Sequence, residues 1–208
     1  MRDELKLAGE AAREAGAIIM QYYGGDYRVE EKGAVETSAG LVDNPVTTAD
    51  LESDKRLKEL LLSPYPHYGW LSEETRDSKS RLNNKMVWVV DPLDGTKEFV
   101  EGIPNFVISI GLVENGAPVL GTIYNPVTKE LFTGYKGNGT KLNGIEYNLS
   151  EKTDFNQMSM LNSRSETRAG LWEPYKKYFK EVIPIGSIAY KLAMVSTNKA
   201  DMVSSLKP

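Results

Sequence analysis

Val89-Val90-Asp91-Pro92-Leu93-Asp94-Gly95-Thr96-Lys97-Glu98-Phe99 is the stretch on which the reading of this chain turns. The apolar run Met86–Val90 ahead of it predicts a buried strand, and that strand leads directly into Asp91. A carboxylate taken out of water needs a cation or a hydrogen-bond donor. Pro92 stiffens the turn and removes one N–H. Asp94 then brings a second carboxylate to the same place, with the carbonyl of Leu93 between the two. Such an all-oxygen pocket suits Mg²⁺ rather than a soft metal. Gly95 lets the backbone approach a ligand closely. A helix starting at Thr96 would present free N–H groups to an anion. A metal beside an anion-binding turn is the layout that phosphate-ester cleavage needs.

Outward from this segment the chain reads as a mixed α and β fold. Towards the C-terminus, 106–113 and 118–124 predict two strands joined by the hairpin turn Glu114-Asn115-Gly116-Ala117. Another strand is expected over 130–135, followed by turns at GNGT and LNG. Towards the N-terminus, Leu5, Ala8, Ala12, Ala15, Ile19 and Tyr22 recur at helical spacing. They predict a helix over 3–23, stopped by Gly24-Gly25. A second helix is expected over 48–62, capped by Thr47 or Thr48, with Leu51, Leu57, Leu60 and Leu61 as its apolar stripe and Pro64 beyond its end. From about Phe155 a second unit begins: a strand over 158–161, a helix over 165–179, a strand over 182–185, a helix over 187–197 and a short strand over 200–205. The expected division is an α+β domain with the metal site over 1–150 and a partial α/β substrate-binding domain over 151–208.

Composition limits the function classes. The 208 residues are 40% hydrophobic and 26% charged, with a net charge of −4 and no basic block. That argues against a nucleic-acid partner, which phosphate-backbone neutralisation would require. The absence of Cys excludes disulfides, zinc thiolates and cysteine nucleophiles. The single histidine, His67, excludes any mechanism needing two. Its loop, Pro64-Tyr65-Pro66-His67-Tyr68, reads as surface. No apolar run approaches the roughly 20 residues that cross a bilayer, and MRDELKLAGEAAREAG lacks the apolar stretch of a signal peptide. A soluble cytoplasmic protein with no membrane partner is the expectation.

Two further acidic segments lie upstream. Asn44-Pro45-Val46-Thr47-Thr48-Ala49-Asp50 places an acid just inside a helix start, which taken alone is plain capping. Trp70-Leu71-Ser72-Glu73-Glu74-Thr75 taken alone is a solvated strand exit. Together with DPLDGT, in this order and at this spacing, the three segments resemble the inositol monophosphatase superfamily. The resemblance runs from the first helix to the last residue. It implies a layered α-β-α-β-α sandwich, often dimeric, and a metal-dependent phosphomonoesterase using two or three Mg²⁺.

The resemblance also assigns roles. Glu73, Asp91, the Leu93 carbonyl and Asp94 would hold metal. Gly95 and Thr96 would give N–H contacts to phosphate, while Asp50 and the Thr96 hydroxyl would orient and deprotonate water. Glu74 would stand behind these or be exposed. No phosphoenzyme is implied. The run Gly95-Thr96-Lys97-Glu98-Phe99 resembles the bisphosphate nucleotidase (CysQ-like) branch more than the inositol branch, as does Asn162-Ser163-Arg164-Ser165. Gly186-Ser187-Ile188-Ala189-Tyr190-Lys191 resembles that branch's nucleotide-contacting segment. Lys97, Ser163, Gly186, Ser187 and Lys191 are therefore expected at the substrate. Lys191 either meets a second phosphate or is simply solvated. Adenosine 3′,5′-bisphosphate, giving AMP and phosphate, is the first expectation, and inositol-1-phosphate or another sugar phosphate the second. Family members carry a Trp-Asp motif, with a further metal-ligand aspartate, in the segment that would follow Pro208. A metal-binding remnant without turnover is the third expectation.

Overall fold

The computed structural model describes residues 1–24, 29–31, 35–37, 40–42 and 45–206, with side chains at 1–24 and 47–206. Gly25, Asn44, Lys207 and Pro208, which figured in the sequence reading, lie outside the described residues.

Helix α1 (Arg2–Tyr22) opens the chain. Four three-residue strands follow: β1 (Val29–Glu31), β2 (Val35–Thr37), β3 (Gly40–Val42) and β4 (Pro45–Thr47). β1 pairs with β4, and β2 with β3, each antiparallel. Helix α2 (Thr48–Leu62) begins at the predicted residue, with Thr47 as its cap. Strands β5 (Gly69–Ser72) and β6 (Met86–Asp94) come next, then the short helix α3 (Thr96–Val100). β7 (Val107–Glu114), β8 (Ala117–Asn125), β9 (Glu130–Tyr135), β10 (Thr140–Leu142) and β11 (Ile145–Tyr147) complete a seven-stranded sheet in the order β11-β10-β9-β8-β7-β6-β5. Every pair in it is antiparallel except β5 with β6. The β7–β8 turn carries Asn115 at φ 49° and Gly116 at φ 82°, the left-handed pair that an Asn-Gly hairpin favours.

One face of this sheet is covered by α1 and α2. Ala8, Ala12, Ala15 and Ile19 pack with Leu57 and Leu61 against Trp88, Val90, Ile108, Ile110 and Leu112, all of them buried. The small residues on α1 let it sit close to β8. On the other face lies α5 (Ile188–Ser196), over a smaller cluster of Val107, Phe132, Tyr190 and Ala193. Behind α5 stands a parallel three-stranded sheet, order β13-β12-β14, built from β12 (Ser159–Asn162), β13 (Glu181–Pro184) and β14 (Met202–Val203). The mixed class and the layering of helix pair, sheet, helix and sheet agree with the sequence reading.

Besides the short strands β1–β4, three features differ from it. The strand whose exit was read at Trp70–Thr75 is β5, and it pairs parallel, so one edge of the meander is not antiparallel. The GNGT and LNG turns close two further hairpins, β9–β10 and β10–β11, rather than being turns alone. The helix expected over 165–179 is only α4 (Arg164–Arg168), followed by turns and a 3₁₀ turn at Lys176–Tyr178. Gly170, at φ 72°, and Pro174 break a pattern whose apolar spacing continues past them.

Gly16 tests the packing of α1. A Cβ there would stand 2.7 Å from Tyr124 Cε1 and 3.0 Å from Pro126 Cβ. Gly-to-Ala in a helix normally stabilises by about 1 kcal/mol, whereas overpacking costs about 1–3 kcal/mol. Contact with a partly buried ring decides the sign, so Gly16→Ala should destabilise by about 1–2 kcal/mol in urea unfolding. A gain in stability would show that Tyr124 swings aside.

Candidate active site

β6 is the element that assembles the site. Asp91 pairs with Ser109 on β7, but Asp94 pairs with Val107, so three steps on β6 face two on β7. In a regular strand, residues three apart point to opposite faces. The extra residue of this bulge restores Asp91 and Asp94 to the same face, the one under α5. Pro92, which has no N–H to give, falls within the bulge. Gly95 follows at φ 101°, and a Cβ on it would stand 2.9 Å from the Asn105 carbonyl. The close approach foreseen at Gly95 is thus made by the protein's own chain.

The parallel pairing of β5 adds the next acid. Ser72 is in register with Val90, and the Glu73 N–H donates to the Val90 carbonyl at 3.2 Å, which seats Glu73 beside Asp91. Asp54, from the buried face of α2, holds this exit. It accepts from the Ser72 hydroxyl and, at 2.6 Å, from the Thr75 hydroxyl. The sequence reading missed Asp54, although an acid four residues after Asp50 and three before Leu57 on the apolar stripe was the available signal.

Asp50 is 1% exposed. Its Oδ2 accepts from the Thr47 N–H at 2.7 Å and the Thr47 hydroxyl at 2.6 Å, while its own N–H donates to Thr47 Oγ1 at 3.3 Å. This is a capping box, so the capping role is real. It also fixes the carboxyl rigidly near Asp91. Thr96 starts α3, which packs on β4, and its hydroxyl donates to the Leu93 carbonyl at 3.1 Å.

Asp94 reaches to α5. Its Oδ2 accepts from the Ser187 hydroxyl and from the Ala189 N–H, both at 2.7 Å. Ser187, at φ 52°, caps α5 by accepting from the Tyr190 N–H at 3.0 Å. Gly186 is buried against Glu98. Lys191 is 6% exposed, not solvated. Burial pulls its ammonium below its ordinary value, opposed by Glu166, Asp94 and Glu98. Among the described residues it makes no ion pair. Lys97 is exposed on α3, and Ser163 is half-buried at the start of α4, its hydroxyl paired with that of Ser165 at 2.8 Å rather than capping the helix. Beside the acids, a cavity of about 400 Å³ lies between α5 and the sheet, lined by Ser109, Ile123, Phe132, Ala189, Leu192 and Ala193.

The electrostatics single out Asp91. Burial, then the charges of Asp94 and Glu73, push its carboxyl up to about 8. A single backbone N–H, from Leu93, acts against them, and Asp50 adds to the rise. Burial also raises Asp94, against the pull of Ser187 and Ala189. As placed, no group of three or more His, Asp or Glu side chains among the described residues could hold a metal ion. Asp94 and Asp50 are turned to their hydrogen-bond donors instead. The donor set nonetheless fits a hard divalent cation. It is all oxygen, and the cost of ionising Asp91 is what a nearby positive charge would remove.

The sequence matches the inositol monophosphatase family across residues 1–207. This chain belongs to that family. Among the curated members it is 28% identical to the Nus factor SuhB of Haemophilus influenzae over 212 residues, covering 97% of this chain and 75% of that protein. It is 35% identical to the inositol monophosphatase of Mesembryanthemum crystallinum over 156 residues, 74% of this chain and 55% of that protein. The chain thus spans from about half to three-quarters of the length of these relatives. Among solved structures, the Thermotoga maritima IMPase superposes with a TM-score of 0.82 at 27% identity, covering 98% of this chain and 76% of that one. In an inositol monophosphatase family member the bulged end of β6 is therefore set in a fold shared with solved relatives. No helix among the described residues is long and apolar enough to cross a membrane.

A prediction follows for the metal-free protein. The unfolded chain releases the Asp91 proton near pH 4, while the folded chain holds it to about 8. Metal-free stability should therefore fall as pH rises across that window. Melting temperature in EDTA, measured from pH 4 to 8, should drop less steeply for Asp91→Asn. Equal slopes for the two proteins would sink the assignment of Asp91 as the strained group.

Proposed function

We propose that this protein hydrolyses a phosphate monoester of a small molecule with Mg²⁺ held by Asp91, Asp94, Glu73 and the Leu93 carbonyl. The observation that carries the reading is the bulge that turns two half-buried carboxylates to one face beside a third, at a cost to the metal-free fold. Family membership agrees with it. Mg²⁺, when bound, supplies charge neutralisation and Lewis acidity for an in-line displacement at phosphorus. The remaining work falls to the chain. Asp50, fixed by its capping box, and the Thr96 hydroxyl orient the attacking water, and the Asp50 carboxylate takes its proton. The N–H groups of Gly95 and Thr96 orient the phosphate. Ser187 and Ala189 steady Asp94.

For the substrate, the buried Lys191 favours adenosine 3′,5′-bisphosphate. A cation kept out of water without an ion-pair partner is suited to a second phosphate, with Ser163, Gly186, Ser187 and Lys97 around the rest of the molecule. Inositol-1-phosphate is the second reading, favoured by relatives that carry the inositol monophosphatase name. A homodimer and a cytoplasmic location complete the proposal.

Phosphate release from both esters, with and without Mg²⁺, separates these readings. Asp91→Asn should abolish Mg²⁺-dependent release from either. A charged hydrogen bond contributes about 1.5–3 kcal/mol, so Lys191→Met should lower kcat/KM for the bisphosphate by about 10- to 100-fold. The same change should leave the inositol ester within about twofold. Equal losses on both esters would remove the second-phosphate role, and no release from either would favour a metal-binding protein without turnover.

A further inference from the structure

Glu98 carries a buried carboxylate that the phosphatase reading does not use. Its side chain is 12% exposed, and a lone ionised acid at that depth would cost several kcal/mol. Arg164, 16% exposed, meets it: Nη1 lies 2.7 Å from Glu98 Oε1, and Nη2 lies 2.7 Å from Glu101 Oε2. Arg168 adds a second guanidinium to Glu101 at 2.7 Å. Both arginines sit on α4 and both acids on or just after α3, so the cluster fastens the two helices together.

Gly186 also packs on the Glu98 side chain. A Cβ built there would run into the Glu98 side chain, Cγ and Cδ included. Gly186 precedes Ser187, whose unusual φ of 52° aims its hydroxyl at Asp94. Two residues further on, the Ala189 N–H reaches the same Asp94 oxygen. Glu98 is therefore wedged between the arginine that fixes it and the backbone that fixes Asp94. The Glu98 position is set from one direction by a forked cation with rigid geometry. It is set from the other by a glycine with no room for a methyl group.

We infer that Glu98, held by Arg164, is a positioning residue: it sets where the Gly186–Ala189 turn stands and so how the Asp94 carboxylate is presented to a divalent cation. This rests on the metal site proposed above. It concerns Glu98 and Arg164, which would not touch metal or substrate themselves.

The test is Mg²⁺ binding to the protein, read as the rise in melting temperature across a Mg²⁺ titration and checked by calorimetry, with no turnover involved. Gly186→Ala should raise the Mg²⁺ concentration at half-saturation by about tenfold, because the new methyl group displaces either Glu98 or the turn. In a Glu98→Ala background the same Gly186→Ala change should add less than about twofold, since the collision partner is gone. Arg164→Lys, which keeps the charge but loses the fork, should weaken Mg²⁺ by several-fold. Glu98→Gln keeps the shape against Gly186 and should fold even where the alanine variants do not, with a weakening similar to that of Arg164→Lys. Should Mg²⁺ bind the original protein but Gly186→Ala, Arg164→Lys and Glu98→Gln all stay within twofold of it, the positioning role is wrong and the metal site stands. Equal weakening by Gly186→Ala with and without Glu98 would likewise overturn it. No Mg²⁺ response in the original protein would remove the metal site and this inference together.

Discussion

A buried strand that ends in acids must dispose of their charge, and the rest of this structure is arranged around that constraint. β6 is committed to the interior by Trp88 and Val90, which pack on the α1–α2 layer. It cannot retreat from water at one end only. The bulge between Asp91 and Asp94 then concentrates both carboxylates on the α5 face. At an effective dielectric of about 20, two like charges a few ångström apart repel by roughly 3–4 kcal/mol. Without metal the folded chain avoids that repulsion by holding the Asp91 proton to about 8, a cost set against the roughly 5–15 kcal/mol by which folded domains are stable.

The second half of the chain is tied to this end by Asp94. One of its oxygens takes the hydroxyl of Ser187 and the N–H of Ala189, so the start of α5 is specified by the acid it serves. Lys191 lies one turn further along α5, buried, with Asp94, Glu98 and Glu166 as its electrostatic neighbours. Glu166 is itself held by the Trp172 indole N–H at 2.8 Å and by the Ser205 hydroxyl at 2.7 Å, and Glu98 by Arg164. The cation is thus surrounded by acids that already have other donors. On the proposed reading, that leaves its charge available to a second phosphate.

Much of this was legible in the sequence, for identifiable reasons. The run into Asp91 stood out because apolar residues ending in an acid pair have few purely structural explanations. Helix α2 was legible to the residue because its cap and its stripe agree. The bulge was not legible: spacing alone puts Asp91 and Asp94 on opposite faces of a strand, and only the partner strand reveals the extra residue. A strand ending at Ser72 was legible, but the parallel pairing of β5 that places Glu73 was not, because four residues do not reveal their partner strand. The overlong helix after Ser165 came from trusting spacing over Gly170 and Pro174. Lys191 was read as either solvated or functional because α5 does not declare from sequence which of its faces meets the sheet.

The treatment of the other buried acids bears on what the site is for. Glu130 is met by Tyr190 at 2.6 Å and by Lys199. Asp201 receives the Ser159 N–H at 2.7 Å and Lys152 at 2.9 Å. Asp54 has two hydroxyls, Glu98 a guanidinium and Glu166 an indole. This chain supplies donors to buried carboxylates wherever they serve to hold elements together. Asp91 receives one backbone N–H at 3.1 Å, from the turn it begins, and otherwise faces Asp94, Glu73 and Asp50. A structural acid so placed would be replaced by an amide or an apolar residue at a gain in stability. On the function proposed above, an acid kept there at a cost is one whose partner arrives from solution, and its oxygen-bearing neighbours suit a small, hard cation.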